Sequence, residues 1–426
     1  MVADNAFLPL LMNFYKADMY IYFETIKAPI LLDNCPELLA FIKKNLSGWA
    51  IRLSSKADPK YSPIITIRKT PKGYVRLSNW LEQPKTFKHP VDAVCDFLVD
   101  LMKAYLDENE NLLCLHCAAV KFGSNLFLFP STYSAGKSSL AVALAMEGAT
   151  IFSEDVLPLD IETGACIASG IHVRLRNPLP DDFSDEFTEF ISVHTSSESK
   201  KFRYLNLPEN SVAPLGTRGE ISKIYVIERA PDIDGLKEEI ITDSEILKLI
   251  LLRNFSHANS ADNTLTFFLN LIQNIECWKL KYSTTEVAAA YLKEKLSAPS
   301  LTQFKDITKA QSKEESPKVF SKDISGQTGQ LYQQATGISE RLVGDSIFLV
   351  GLENETLYCL EGLSGPIWQI LEEPINISDI ILLICEAFPK IPAELIKQDV
   401  ERLFHDLKAR DLVFATENRV SPSLLS

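Results

Sequence analysis

The residues best suited to chemistry lie in the stretch FPSTYSAGKSS, residues 129–139, between two apolar runs, NLFLF and LAVALAMEG. A phosphate-binding loop of the pattern G-x-x-x-x-G-K-[ST] wraps phosphates with backbone N–H groups, neutralises them with its lysine and holds Mg²⁺ with its hydroxyl. Gly136, Lys137 and Ser138 fit this pattern, while Ser131 stands where the first glycine is expected and can supply an acceptable turn. An accidental match in an ordinary strand-turn-helix is the alternative. The predicted nucleotide-binding residues are Ser131, Thr132, Tyr133, Ser134, Ala135, Gly136, Lys137, Ser138 and Ser139.

Two acidic residues follow the loop at a position that suits metal and proton chemistry. The strand-like segment ATIFSED ends in Glu154 and Asp155. Carboxylates at the end of a strand beside a phosphate-binding loop can hold Mg²⁺ and can take a proton from an attacking hydroxyl. Taken alone, the pair is better explained as a solvated turn that carries two acids. Beside the loop, we predict that Ser138 and the two acids bind metal, and that Lys137 and the acids are catalytic.

The order of these segments resembles the core of the HPr kinase/phosphorylase family and its relatives. In that family a histidine lies on the strand before the loop, the loop ends in G-K-S, and the next strand ends in an acidic pair. The corresponding residues here are His116, the stretch 131–138 and the pair Glu154 and Asp155. The resemblance implies that Lys137 and this loop bind ATP and Mg²⁺, that His116 lines the catalytic site, and that the acidic pair supplies a metal ligand and a base.

The acidic pair also departs from the family pattern, which usually has two aspartates. Glu154 has a longer side chain, and catalytic groups tolerate displacements of only about 0.5 Å. Asp155 is therefore the main candidate, and the division of the base and ligand roles between the two stays open. The glycine-rich signature of the bifunctional enzymes does not follow the pair, so reverse phosphorolysis is not expected.

Phosphoryl transfer also needs cations near the transferring oxygens. Basic residues of the same predicted domain occur in GIHVRLRNPLP and in KKFRYLNLP. Surface salt bridges are the alternative role for each of them. The candidates for binding phosphate or substrate are Arg174, Arg176, Lys201 and Arg203.

The elements that must position these residues divide the chain into four parts. Residues 1–110 contain strand-like segments and two helical patterns and predict a small α+β domain. Residues 111–297 alternate strand and helix patterns and predict an α/β domain that contains the loop. Residues 298–338 are rich in Ser, Gln, Lys and Thr and predict a linker. Residues 339–426 predict a compact module of paired strands and three helices.

The last module resembles the PqqD family, the peptide-recognition domain of ribosomal peptide biosynthesis. The matching features are the strand end YCL, Gly365, the segment WQIL, and the last helix between Asp399 and DLV at 411–413. The resemblance implies a winged-helix-like fold that binds a leader peptide as an added strand. Phe348, Leu349 and Val350 are the candidate edge, with Leu403 and Phe404 in the flanking helix; an ordinary core role is the alternative for all five.

Composition limits the possible partners. The chain has 426 residues with 43 basic and 56 acidic side chains, a net charge of -13, which opposes binding to nucleic acid or anionic lipid. No apolar stretch reaches the roughly 20 residues of a bilayer span, and no basic region precedes an apolar core at the start. We therefore expect a cytoplasmic protein that binds neither nucleic acid nor membrane, with homo-oligomer formation possible.

Together these patterns predict an α/β P-loop kinase domain similar to HPr kinase, an N-terminal α+β domain and a C-terminal winged-helix-like PqqD domain. The expected function is ATP- and Mg²⁺-dependent phosphorylation of a serine hydroxyl in a ribosomally made precursor peptide, whose leader binds the C-terminal domain. This arrangement resembles the kinases of lasso-peptide pathways. The alternatives are a nucleotide-gated peptide chaperone without catalysis and a kinase of a free small molecule.

Overall fold

The computed structural model describes residues 18–132, 135–255, 259–297, 329–353 and 355–416. Tyr133, Ser134 and residues 298–328 of the expected linker lie outside these ranges. The fold is mixed α/β with several sheets. Two compact units are present, one made of nearly all residues up to 302 and one made mainly of the residues after it. Within the described ranges, no helix is both long and apolar enough to cross a membrane.

Over the described residues up to 110, the N-terminal part of the first unit contains a six-stranded sheet and two helices. Its strands follow the order β3-β1-β2-β4-β5-β6, and every neighbouring pair is antiparallel except β2 and β4. The longer helix, α2, begins with Pro90 at its first turn and packs against β5 and β6. The elements are β1 (Met19–Phe23), β2 (Ile30–Asp33), α1 (Glu37–Lys44), β3 (Ile51–Ser54), β4 (Ile65–Thr70), β5 (Gly73–Ser78), β6 (Lys85–Phe87) and α2 (Pro90–Asp107).

The N-terminal part shares its core with the rest of the first unit. Leu112, Cys114, Ile167 and Tyr204 join the cluster of buried apolar residues that the first sheet and α2 form. Apolar side chains from both sides of residue 110, where the sequence predicts a domain boundary, therefore pack together within one compact unit.

The rest of the first unit is built around a second six-stranded sheet, of order β10-β8-β9-β17-β19-β18. β9, β17 and β19 are parallel, and all five residues of β9 are buried, as expected for a strand covered on both faces. The elements are β7 (Leu112–His116), β8 (Ala118–Phe122), β9 (Asn125–Phe129), α3 (Lys137–Met146), β10 (Thr150–Ser153), β11 (Val156–Asp160), β12 (Cys166–Ile167), β13 (Arg174–Arg176), α4 (Asp185–His194), β14 (Thr195–Glu198), β15 (Phe202–Leu205), β16 (Arg218–Gly219), β17 (Ile221–Arg229), β18 (Leu236–Ile240), α5 (Asp243–Arg253), α6 (Ala261–Asn274), β19 (Glu276–Tyr282) and α7 (Thr285–Ser297).

Two chain segments, β7–β8 and β10–β11, connect this sheet to a smaller sheet at the same place. β8 pairs with β10 in the six-stranded sheet, while β7 pairs with β11 in a four-stranded sheet of order β16-β12-β11-β7. Cys117 connects β7 to β8, and its N–H donates to the carbonyl of Asp155, which connects β10 to β11. We call this crossing, residues 116–117 and 153–155, the sheet junction. The junction places His116 next to the acidic pair.

Over residues 329–353 and 355–416, the C-terminal unit contains two three-stranded sheets, of orders β24-β20-β25 and β21-β22-β23, and three helices around its own apolar core. β20 lies inside the segment 298–338, so this part of the expected linker is a strand paired with β25. The elements are β20 (Leu331–Gln334), β21 (Ser339–Val343), β22 (Ser346–Val350), β23 (Leu357–Leu360), α8 (Ser364–Ile370), β24 (Ile375–Asn376), α9 (Ile377–Ala387), α10 (Ala393–Ala409) and β25 (Val413–Thr416).

The prediction that Phe348, Leu349 and Val350 form a strand edge is wrong. They belong to β22, which pairs with β21 on one side and β23 on the other, so its backbone groups are already used. All five residues of β22 are buried. Phe404 is also buried in the core and Leu403 packs against it, so both contribute to the interior of the unit.

Candidate active site

The loop between β9 and α3 is held from the neighbouring strands of the sheet. Gly136 has a φ of 86°, a conformation that L side chains rarely adopt, and an added Cβ would lie 2.6 Å from the Tyr282 hydroxyl. That hydroxyl, at the end of β19, donates to the Ala135 carbonyl over 3.0 Å. Glycine is therefore required at 136 by both torsion and space.

Ser131 uses its side chain rather than a special backbone conformation. It is fully buried, and its Oγ accepts a hydrogen bond of 2.9 Å from the N–H of Ile227 on β17. Ser131 is not among the residues with positive φ, so a glycine is not needed there for torsion. The hydroxyl instead attaches the start of the loop to the adjacent parallel strand, a role that glycine could not fill.

Lys137 is the first residue of α3 and is buried beside the loop. Its Nζ donates to the carbonyls of Ser131 and Thr132, each over 3.3 Å. Burial lowers the pKa of Lys137, while the nearby acids oppose this effect. Carbonyl oxygens are neutral acceptors, so an anionic phosphate oxygen is a stronger partner for the same ammonium group.

The predicted hydroxyl, acids and histidine meet at the sheet junction. Ser138 Oγ donates to Glu154 Oε2 over 2.5 Å. His116 Nδ1 lies 2.9 Å from Asp155 Oδ1, and Arg174 Nη2 lies 3.3 Å from Asp155 Oδ2. The backbone N–H of Arg174 donates to Glu154 Oε1 over 3.4 Å. The two carboxylates therefore have different partners, Ser138 for the first and His116 for the second.

These different partners push the two pKa values apart. Burial raises the pKa of Glu154, and the negative charge of Asp155 raises it further. Burial also opposes the ionisation of Asp155, but the hydrogen bond from His116 and the charge of Arg174 outweigh it and hold the pKa of Asp155 below its usual value. Asp155 is thus the more acidic member of the pair. Separated pKa values within one site are typical of acid and base assignments.

Arg174 is held from several sides. Its Nη1 lies 2.6 Å from the Cys95 thiol of α2, and its guanidinium stacks 4.8 Å from the centre of the Phe202 ring. With Glu154 and Asp155 as its ionic partners, this arginine is committed to the acidic pair. Arg174 therefore positions the acids instead of offering a free cation to a phosphate.

The loop and the junction enclose a pocket of about 220 Å³. Arg229 at the end of β17, Thr285 at the start of α7, and residues 178–180 complete its wall. The predicted site residues that line the pocket are His116, Ala135, Gly136, Lys137, Ser138, Ser139, Glu154, Asp155, Arg174 and Arg176.

Lys201 and Arg203 do not reach this pocket, so the structure does not support a phosphate-binding role for them. Lys201 is exposed in the turn between β14 and β15. Arg203 pairs with Glu198 over 2.7 Å and donates to Asn177 over 2.9 Å.

Sequence reasoning missed three residues that shape the site. Arg229 could have been found, because it follows a predicted strand and ligands of α/β sheets bind at the carboxyl ends of strands. Cys95 and Tyr282 carry no such signal, since each reaches the site only through packing of distant segments.

The oxygen atoms of the site fit Mg²⁺ bound together with phosphates. Ser138, Glu154 and Asp155 offer oxygen ligands, which Mg²⁺ prefers, and Mg²⁺ is usually held by one or two carboxylates plus substrate phosphates. Within the described part of the chain, no group of three His, Cys, Asp or Glu side chains could hold a metal ion alone.

Comparison with known proteins identifies the C-terminal module. Residues 347–413 match the family model of coenzyme PQQ synthesis protein D (PqqD), which confirms the resemblance predicted for this part of the chain. The presence of a PqqD domain is consistent with peptide recognition and suggests a part in peptide modification. No curated protein matches the chain.

Proposed function

We propose that the protein is an ATP-dependent kinase that phosphorylates a serine hydroxyl of a ribosomally made precursor peptide captured through the PqqD domain. The observation that carries the proposal is the convergence of Lys137, Ser138, Glu154, Asp155 and His116 on one pocket. The PqqD domain supports a peptide as the substrate.

The loop is suited to the phosphate chain of ATP. The first backbone N–H groups of α3 have no partner within the helix and carry its positive dipole, so they favour bound anions. Lys137 exchanges its two loop carbonyls for phosphate oxygens. Ser138 and Glu154 would hold Mg²⁺, which when bound neutralises charge on the phosphates.

The second acid is suited to proton transfer. The serine hydroxyl of the peptide gives its proton to Asp155 as its oxygen bonds to the γ-phosphorus, the bond from that phosphorus to the β-γ bridging oxygen breaks, and ADP leaves. His116 and Arg174 orient the Asp155 carboxylate through its two oxygens. We thus assign Glu154 to the metal and Asp155 to the base, because only Glu154 contacts Ser138 through its side chain.

The PqqD domain would supply specificity by tethering. A leader peptide bound to this domain keeps the acceptor serine at a high effective concentration near the active site, so the active site itself needs few contacts with the peptide. β21 and β23 are the outer strands of their sheet, and backbone pairing with such a strand is one way to bind an extended peptide.

The proposal is tested by incubating the full-length protein with Mg²⁺, ATP and the short peptide encoded beside its gene, and by measuring phosphate addition by mass spectrometry. We expect Lys137→Ala and Asp155→Asn to reduce transfer by about 100-fold or more, because positioned acid-base groups typically contribute that much. Lys201→Ala, which removes an exposed lysine outside the pocket, is the matched control and should transfer at the wild-type rate.

Two results would contradict the proposal. Nucleotide binding without any transfer to the peptide would favour a nucleotide-gated chaperone instead. Transfer that survives both pocket substitutions would show that the chemistry occurs elsewhere.

A further inference from the structure

Arg229 is a pocket residue that the catalytic scheme above does not use. It ends β17 and lines the pocket that Gly136, Lys137 and Ser138 also line. Its Nη2 donates to Asp182 in an ion pair, while its Nε is buried and has no hydrogen-bond partner. The Asp182 side chain is 41% exposed and the Arg229 side chain 25% exposed, so their pairing is open to solvent.

The sheet order places Arg229 on the side of the loop away from the acids. β9, which leads into the loop, lies between β8 and β17, and the acidic pair follows β10 on the far side of β8. The pocket thus has an acid side and, at the end of β17, a cationic side. A phosphate chain along the loop with its terminal group at the acids has its nucleoside end near Arg229.

Hydrogen bonds fix the backbone of Arg229 relative to the loop. The N–H of Ile227, two residues earlier on β17, donates to Ser131 Oγ. Arg229 itself is the register partner of Tyr282, whose hydroxyl holds the Ala135 carbonyl. Only the side chain of Arg229 has to move for its guanidinium to turn from Asp182 toward a ligand in the loop.

Asp182 is a weak competitor for this guanidinium. An ion pair that is partly open to solvent contributes little net free energy, whereas an arginine can bind phosphate through two charged hydrogen bonds. Two other cations that line the pocket already have partners. Lys137 donates to loop carbonyls, and Arg174 pairs with the acids. A nucleoside polyphosphate would therefore draw Arg229 away from Asp182.

We propose that Arg229 is a nucleotide-binding residue that exchanges Asp182 for the phosphates nearest the nucleoside when a nucleoside di- or triphosphate occupies the loop. This inference rests on the nucleotide site of the proposed function and defines the direction of the bound nucleotide. In this proposal, Asp182 and the bound nucleotide compete for the guanidinium of Arg229.

Titration calorimetry of the full-length protein with ADP tests the inference without a peptide. Arg229→Ala should weaken ADP binding roughly tenfold, the loss expected for a charged hydrogen bond, and Arg229→Lys should restore part of it. Asp182→Asn should tighten ADP binding about two- to fivefold, because it removes the competing charge. A gain in affinity cannot result from unfolding.

A second ion pair of the same unit provides the matched control. Arg203→Ala breaks a pair with Glu198 outside the pocket and should leave the ADP affinity unchanged. Unchanged ADP affinity in either Arg229→Ala or Asp182→Asn overturns the inference, provided that wild-type protein binds ADP and Lys137→Ala weakens it. Absence of ADP binding by wild-type protein would overturn the proposed nucleotide site as well.

Discussion

At the level of single residues, Arg174 is a cation whose partners are the acidic pair of the candidate site. The sequence identifies it as a phosphate-binding candidate, but its guanidinium contacts Asp155 and lies against the Cys95 thiol. A buried arginine between two carboxylates keeps both in one geometry and favours their ionised forms. The charge of Arg174 is therefore already paired with the two carboxylates when no phosphate is bound.

This role predicts a pH effect on transfer. Arg174→Met removes a charge that lowers the pKa of Asp155, so that pKa should rise and the acid limb of the kcat profile should move to higher pH. Arg174→Lys, which keeps the charge, should leave the limb closer to its wild-type position. The measurement is the phosphate transfer rate across pH at saturating ATP and peptide.

Folded protein must be verified for the same variants. Loss of one member of a buried ion pair costs about 3 kcal/mol or more, so Arg174→Met is expected to melt at a lower temperature than wild type. Lower stability alone does not move a pH limb measured well below the melting temperature. An acid limb identical in Arg174→Met and wild type would exclude the positioning role.

At the scale of elements, the segment between β12 and β13 connects the N-terminal part to the acids. Within residues 168–173, the Gly170 carbonyl accepts from the Ser47 N–H over 2.7 Å, and the Ser169 carbonyl accepts from Trp49 Nε1 over 3.0 Å. The segment then leads directly into Arg174. The N-terminal part thus stabilises the backbone from which the positioning arginine extends.

A glycine substitution in this segment tests the contact. Gly170 has a φ of 61°, and a Cβ added there would lie 2.2 Å from the Ser47 carbonyl oxygen. Gly123 has a φ of 59° but nothing within 4 Å of an added Cβ, so Gly123→Ala is the matched control for torsion alone. We expect Gly123→Ala to cost about 1–2 kcal/mol in urea unfolding and Gly170→Ala clearly more. Equal costs would show that the contact with Ser47 does not constrain the segment.

The parts of the site that could be predicted are those encoded by neighbouring residues. The strand, loop and helix around Gly136 follow from local apolar runs and a local motif, and the structure has all three elements. The break at Cys117 is invisible in LLCLHCAAV, because the run stays apolar while the strands change sheets. In SIFLV, the unbroken apolar run is typical of a central strand, and interpreting it as an edge overlooked that pattern.

At the scale of the whole molecule, each unit has its own core. The buried clusters of the first unit involve residues up to 292, and the cluster of the C-terminal unit involves residues from 332 onward. Among the described residues, these three clusters have no member in common. If the proposed function holds, truncation of the C-terminal unit is expected to affect peptide capture more than the proposed chemistry.

Removal of residues 303–426 should reduce kcat/KM for the precursor peptide by about 100-fold or more, because the tether no longer concentrates the substrate. The kcat at saturating peptide should change little, since the pocket residues all precede residue 303. The measurement is initial transfer rate against peptide concentration, with wild-type ADP affinity as the control for a folded first unit. Equal kcat/KM with and without the module would exclude tethering.

The sheet junction holds the chain at the acidic pair by hydrogen bonds from Ser153 and to Asp155. Ser153 Oγ donates to the Cys117 carbonyl over 3.1 Å, and the Cys117 N–H donates to the Asp155 carbonyl over 3.0 Å, where the chain passes from one sheet to the other. Displacing the acids would therefore break hydrogen bonds between the two segments of the sheet junction. Under the proposed function, substitutions in the loops around the pocket are therefore expected to change which peptide is accepted more than they change the position of the proposed base.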